Sequence, residues 1–270
     1  METNEAERRR WNDEYFASVW PANERITDAV TPLLLDALAL RDGERVLDVG
    51  CGGGGSSIAA ARAVGDGGAV VGADVSEPLT RLARDRAAAG GVENVEFQVV
   101  DMQTDQVAGG PFGVAMSQFG VMFFDEPVTA FANIRAHLQP GARLAFACWQ
   151  PVEDNPWFLG SAVAAFVPRP PKPAPGKSPT GPFALADPER TASILEQAGF
   201  VEVVRAAHAL DMDVTEVTVF DDERLAFMGV PDDELAAARA AVDAQMQRLQ
   251  VEPGLWRFPL RLQIFEAGVR

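Results

Sequence analysis

The sequence predicts an α/β protein built on a mostly parallel sheet, and three observations predict it. Short apolar runs alternate with amphipathic segments between residues 45 and 149. A glycine-rich turn, Gly50-Cys51-Gly52-Gly53-Gly54-Gly55, separates the first such run from the helical segment after it. Acidic residues then stand at the downstream ends of the next two runs, Asp74 and Asp101, while Asp48 sits two residues before the first glycine. Strands that alternate with helices must return by crossovers, which makes neighbouring strands parallel. At 270 residues the chain fits one domain with insertions better than two domains.

Taken in order, residues 5–40 read as helical, with Trp11, Tyr15, Phe16 and Val19 at helical spacing, a break at Pro21, and a second run through Ile26, Val30, Leu33, Leu34 and Leu38. Strands follow at 45–49, 69–75 and 95–100, with helices at 56–64 and 79–89 between them. A fourth strand at 112–118 leads to a helix at 128–138, a Pro140-Gly141 turn and a fifth strand at 143–149. Residues 151–187 are rich in proline and read as a loop or lid over the site. Asp187 before Pro188 is an N-cap signal, Gly199 a stop, and 201–210 alternates as a sixth strand. A helical insertion over 215–250 precedes a seventh strand through Leu260, Leu262 and Ile264. The expected organisation is therefore a single domain over 1–270: an N-terminal helical lid (1–40), a ligand-binding core (41–150), the loop insertion, and a C-terminal half (188–270).

The glycine turn carries the chemistry. Without a Cβ the backbone turns tightly and approaches a ligand closely, and the helix behind it offers free N–H groups. The spacing also satisfies the dinucleotide pattern G-x-G-x-x-G, so a nicotinamide enzyme is the natural rival. A carboxylate at Asp48 opposes a pyrophosphate there but suits an ammonium group. Asp74 is placed to accept from two ribose hydroxyls, Asp101 from an adenine amine, and Val75 and Met102 to enclose the ring.

On these residues, and on the segments 117–124 and 138–144, the chain resembles the class I S-adenosylmethionine-dependent methyltransferases, in particular the ubiquinone/menaquinone-methyltransferase-like enzymes of small molecules. The resemblance implies a Rossmann-like sheet of seven strands with the last antiparallel, S-adenosylmethionine as cofactor, and cofactor contacts from Asp48, Gly50, Cys51, Gly52, Asp74, Val75, Asp101, Met102 and Ser117. It further implies that the N-terminal helix, through Tyr15 and Trp20, closes over the methionine end. The long insertion between strands six and seven departs from the short hairpin of many relatives.

Phe119, Trp149, Trp157 and Phe158 follow strands four and five, where they suit an apolar acceptor pocket, with core packing as the alternative. Trp11 reads as helix packing. Of the two histidines, His208 lies near the end of strand six as a candidate general base, with a satisfied structural histidine as the favoured alternative, whereas His137 reads as exposed and inert. Neither cysteine has neighbours at metal-ligand spacing, so no metal is expected, and their separation suits a reducing, cytoplasmic setting. A net charge of −16 opposes nucleic-acid binding. The absence of a long apolar run opposes a membrane span. The partner is then a small molecule, with room left for a homodimer. An NAD(P)-dependent oxidoreductase would call for a Tyr-x-x-x-Lys pair, and the single tyrosine, Tyr15, precedes the fold. A non-catalytic binding or interaction domain on the same fold is the third reading.

Overall fold

Helices α1 (Glu5–Trp11), α2 (Glu14–Thr27) and α3 (Thr31–Leu38) lead into an alternating core: β1 (Arg45–Val49), α4 (Gly55–Val64), β2 (Ala69–Asp74), α5 (Glu77–Ala89), β3 (Val95–Val99), β4 (Phe112–Gln118), α6 (Pro127–Ala136) and β5 (Leu138–Trp149). The C-terminal half adds α7 (Gly160–Val163), α8 (Pro188–Gln197), β6 (Val201–Val214), α9 (Asp222–Phe227), α10 (Leu235–Leu249), β7 (Gln250–Glu252) and β8 (Leu255–Gly268). This is a computed structural model that describes residues 4–167, 177–215 and 222–270, less the side chains of residues 6, 15, 16 and 23. Parts of the proline-rich stretch (168–176) and of the helical insertion (216–221) lie outside the described residues.

The strands form one sheet in the order β3-β2-β1-β4-β5-β8-β6, with β7 paired to β8. Neighbours from β3 through β5 run parallel. β8 is antiparallel to both β5 and β6. The expected seven strands with the last reversed are thus present, and β7 is an eighth, three residues long, that the sequence did not announce. Strand order reverses between β1 and β4, and a crevice opens at such a reversal because successive crossovers leave to opposite faces. Val46, Leu47 and Val49 of β1 are buried on both faces of the sheet, as a central parallel strand requires. Beneath the far half, Phe131, Phe146 and Phe265 pack in sequence with ring centroids 5.3 and 5.4 Å apart.

Side-chain caps start α5 and α8. Ser76 Oγ accepts from Leu79 N at the start of α5. Asp187 accepts from Glu189 N and Arg190 N at the start of α8. Two local expectations fail. Pro21 lies inside α2, and the break falls instead at Asn12-Asp13. Its missing N–H costs one helical bond, while the packing of Ile26 against the core holds the following turn in place. β5 begins at Leu138 rather than Arg143: Phe112 pairs with Leu138 and Val114 with Arg143, so the Pro140-Gly141 turn is an outward loop within the strand.

Candidate active site

The floor of the site is the β1–α4 turn. Gly50, Gly52 and Gly54 have φ of 70°, 50° and 82°, a region L side chains rarely adopt. Gly50 has a second constraint: a Cβ there would lie 2.7 Å from Gly120 Cα, in the turn after β4. Ser117 fixes this junction, its hydroxyl donating to Val49 O at 2.6 Å and accepting from Gly120 N at 3.2 Å. Next to Gly120, Phe119 is held at φ 64°, a strained position for a bulky residue that its surroundings impose.

Two carboxylates flank the turn differently. Asp74 accepts from Gly52 N at 2.8 Å and from Ser76 N at 2.9 Å, tying the end of β2 to the glycine turn. Burial pushes its pKa up, and the backbone N–H groups of Gly52, Ser76 and Val75 oppose the rise. Asp48 is fully buried behind the turn, where Oδ2 accepts from Ser56 Oγ at 2.7 Å and Ser57 Oγ at 2.6 Å. Its Oδ1 is buried with no hydrogen-bond partner. Burial pushes the Asp48 pKa up to about 6 despite the two serines, and the Asp74 charge adds to the rise. The Cys51 thiol, buried beside both, is pushed well above its ordinary value.

Above this floor lies a cavity of about 210 Å³. One half is bounded by Asp74, Val75, Leu79, Val100 and Met102 at the ends of β2 and β3. The other is bounded by Gln118, Phe119, Met122, Phe123, Phe124 and Trp149 beyond β4 and β5, with Phe119 and Trp149 stacked at 4.1 Å. Asn4, Glu7, Trp11, Trp20 and Glu24 of the N-terminal segment, with Thr27 and Asp28 just after, form the roof. That roof is attached at several points: Ser76 Oγ donates to Trp11 O at 2.6 Å, Asn12 Nδ2 to Val75 O at 2.9 Å, and Thr180 Oγ1 to Glu7 Oε1 at 2.7 Å. The charged side chains among the described lining residues are all acidic: Glu7, Glu24, Asp28 and Asp74.

Residues 46–141 match the family described as a methyltransferase domain. Nocamycin O-methyltransferase of Saccharothrix syringae is 32% identical over 184 residues, 63% of this chain and 64% of that one. Aklanonic acid methyltransferase DauC of Streptomyces sp. (strain C5) is 33% identical over 126 residues, 47% of this chain and 54% of that one. The matched regions thus cover between half and two thirds of these curated relatives. A putative methyltransferase from Bacillus halodurans superposes with a TM-score of 0.60 at 19% identity, covering 89% of this chain and 98% of that one. Residues 46–141 are thus a methyltransferase domain.

The cavity brings together Gly50, Cys51, Asp74, Val75, Met102, Trp20, Phe119 and Trp149 of the residues read from sequence, Trp20 and Trp149 coming from outside residues 46–141. Others stand behind it. Gly52 is covered by the Trp20 ring, 2.5 Å from where its Cβ would be. Asp48 and Ser117 act through Ser56 and Gly120 as described, and the Asp101 carboxylate is covered by Asn4. Trp157 packs tilted against Trp149, centroids 4.7 Å apart, and donates to Asn155 Oδ1, and Phe158 packs on Phe183, so both support the aromatic wall without lining it. The side chain of Tyr15 lies outside the described residues.

The histidines need correction. His208 sits half-buried on β6 at the sheet's far edge, opposite Leu262, and does not line the cavity; a base role for it has no geometric support. His137 is buried rather than exposed. Its Nε2 accepts from Val107 N at 3.1 Å and its Nδ1 faces Asn133 O at 2.8 Å, which assigns the proton to Nδ1 and gives it a structural role. Sequence reasoning missed Asn4, Glu24, Asp28 and Gln118 as lining residues, and took Trp11 for packing alone. The carboxylates Glu24 and Asp28, four apart on one helical face, were the available signal.

Proposed function

We propose that the protein transfers a methyl group from S-adenosylmethionine to a small, uncharged acceptor bearing a planar apolar ring. The observation that carries the reading is one continuous cavity at the sheet's switch point, joining a ribose-type carboxylate and an apolar slot to an aromatic chamber. The residues fit that cofactor on their own chemistry. Gly50 leaves room for close backbone approach, and Asp74 retains lone pairs beyond its two backbone donors. Ser56 lines the cavity with its hydrogen turned onto buried Asp48, so its free lone pair accepts from an ammonium while Asp48 supplies the charge from behind. S-adenosylmethionine, when bound, supplies a methyl group on a sulfonium centre open to in-line displacement.

The protein's part is alignment and exclusion of water, where positioning alone is worth effective molarities of about 10⁵–10⁸ M. The Phe119–Trp149 stack orients a flat acceptor, and the N-terminal helices together with residues 177–187 act as the lid. Asp28 takes the acceptor proton. Of the cavity carboxylates, Glu24 is paired with Arg86 at 2.5 Å, Glu7 holds Thr180 and the Trp11 Nε1, and Asp74 holds backbone. Asp28 stands on the rim, with Thr27 and Thr31 beside it both bonded to Gln118. Partial burial raises its pKa, the Glu24 charge adds to this, and Arg86 opposes it. A base closer to neutrality removes a phenol-type proton more effectively than an ordinary aspartate.

A net charge of −16 keeps the reading away from nucleic acid. Among the described residues no helix is long and apolar enough to cross a membrane. We place the enzyme in the cytoplasm, where the free thiols of Cys51 and Cys148 persist. Calorimetry with S-adenosylmethionine, S-adenosylhomocysteine and NAD, followed by mass-spectrometric turnover against neutral phenols, amines and carboxylic acids, tests the proposal. Binding of the two sulfur nucleosides and transfer to phenols is expected. Binding of NAD alone overturns it, and binding without any turnover favours a non-catalytic module.

A further inference from the structure

Asn4 stands just before α1 in a left-handed conformation, φ 63°, with only 7% of its surface exposed. Its Nδ2 lies 3.4 and 3.3 Å from the two carboxylate oxygens of Asp101. Asp101 Oδ1 also accepts from Gln103 N at 3.0 Å, which leaves Asp101 occupied and out of the cavity lining. A carboxylate only accepts, so the amide orientation is fixed: nitrogen toward Asp101, oxygen away from it. Asn4 itself lines the cavity, and its Oδ1 is buried with no hydrogen-bond partner. A buried acceptor left open in this way is costly unless a ligand donor completes it. The position is built rather than incidental, because Asn12, Ser76 and Thr180 pin the helix that carries it.

We infer that Asn4 is a specificity-determining residue of the nucleoside half of the site, its Oδ1 accepting from the exocyclic amine of a 6-aminopurine. The inference rests on the proposed cofactor and changes which group reads the base: Asp101 orients Asn4, and Asn4 meets the ring held among Val75, Leu79, Val100 and Met102. A 6-oxopurine presents an acceptor to this acceptor and is disfavoured. The N-terminal segment thereby becomes part of base recognition as well as a cover.

The test is calorimetric affinity for S-adenosylhomocysteine and for its 6-oxo analogue, S-inosylhomocysteine, in the wild-type protein and in Asn4→Leu, with thermal melting as the control for folding. Wild type should prefer the amino compound by about tenfold or more, the worth of one buried hydrogen bond. In Asn4→Leu that preference should collapse, mainly through weaker binding of the amino compound. Retention of the full preference in Asn4→Leu, or equal binding of both compounds by wild type, overturns the inference. Failure of wild type to bind either compound is a different result and sinks the cofactor reading itself.

Discussion

Asp48 offers a test that needs neither acceptor nor turnover. Its Oδ2 holds Ser56 and Ser57 while its Oδ1 is buried without a partner, and its pKa rises from 3.8 to about 6. At ~1.4 kcal/mol per pH unit this corresponds to about 3 kcal/mol. The folded protein therefore holds the Asp48 proton more tightly than the unfolded chain does. The associated stability is fully present below about pH 4, declines through pH 4–6, and is gone above. In Asp48→Asn the amide oxygen keeps the serine hydroxyls and the NH₂ takes the open position, at a cost of ~1–3 kcal/mol that does not vary with pH. Urea unfolding at intervals from pH 4 to pH 8 should show the variant less stable than wild type at pH 4. By pH 7 it should match or exceed wild type, the difference having moved by ~2 kcal/mol, since at pH 4 the unfolded carboxyl is already more than half ionised. Affinity for S-adenosylmethionine should fall by ~10-fold or more, since the charge behind Ser56 is gone. Two unfolding curves that run parallel across the range would refute the argument that Asp48 is a desolvated carboxylate awaiting a cation.

The remaining predictions concern other parts of the cavity. Asp74→Asn should weaken S-adenosylhomocysteine binding by ~10- to 100-fold, in line with losing hydrogen bonds to a charged group, and unchanged calorimetric affinity would remove Asp74 from the ribose role. Gly50→Ala places a methyl 2.7 Å from Gly120 Cα at φ 70°, so melting should report a loss of ~1–3 kcal/mol or more together with abolished cofactor binding. Trp149→Phe should raise the acceptor KM severalfold and leave cofactor affinity alone, because the ring stacks on Phe119 in the other half of the cavity. For Asp28→Asn, kcat should drop and lose the rising limb that wild type shows through the elevated Asp28 pKa, while an acceptor already ionised at the assay pH is methylated at a near wild-type rate.

The parallel half of the sheet was legible because each strand and crossover helix obeys a local period and the first crossover is punctuated by Gly50; Asp187 and Gly199 do the same for the helix before β6. What escaped depends on tertiary context. Pro21 reads as a break by propensity, yet packing on either side carries the helix through it. Pro140-Gly141 is a turn by composition, and the sheet keeps its pairing around it. His208 and His137 were judged by position along their elements, but the sheet order sends the first to an outer edge, and Val107 and Asn133 enclose the second. Glycines and strand-end carboxylates pointed to the half proposed for the cofactor, the glycines because the backbone geometry of the turn demands them. The rest of the lining has no such signature: Asn4 over the nucleoside end, and Asp28 and Gln118 beside the aromatic chamber, come from three distant stretches that only the fold assembles.

The mutual crowding of Gly50 and Gly120 bears on how such an enzyme can change. Neither position tolerates even a methyl group without moving the other, and Ser117 welds the two turns at their base. Phe119, whose ring opens the acceptor chamber, is bonded directly to one of them. The cradle for the donor and the first wall for the recipient therefore move as a single rigid block, and reshaping that wall disturbs the cradle. Evolution or engineering toward new acceptors has its freer material outside that block, in residues 177–187, whose Pro182 reaches the cavity, rather than in the helical segment whose Asn4 is inferred to meet the donor's base.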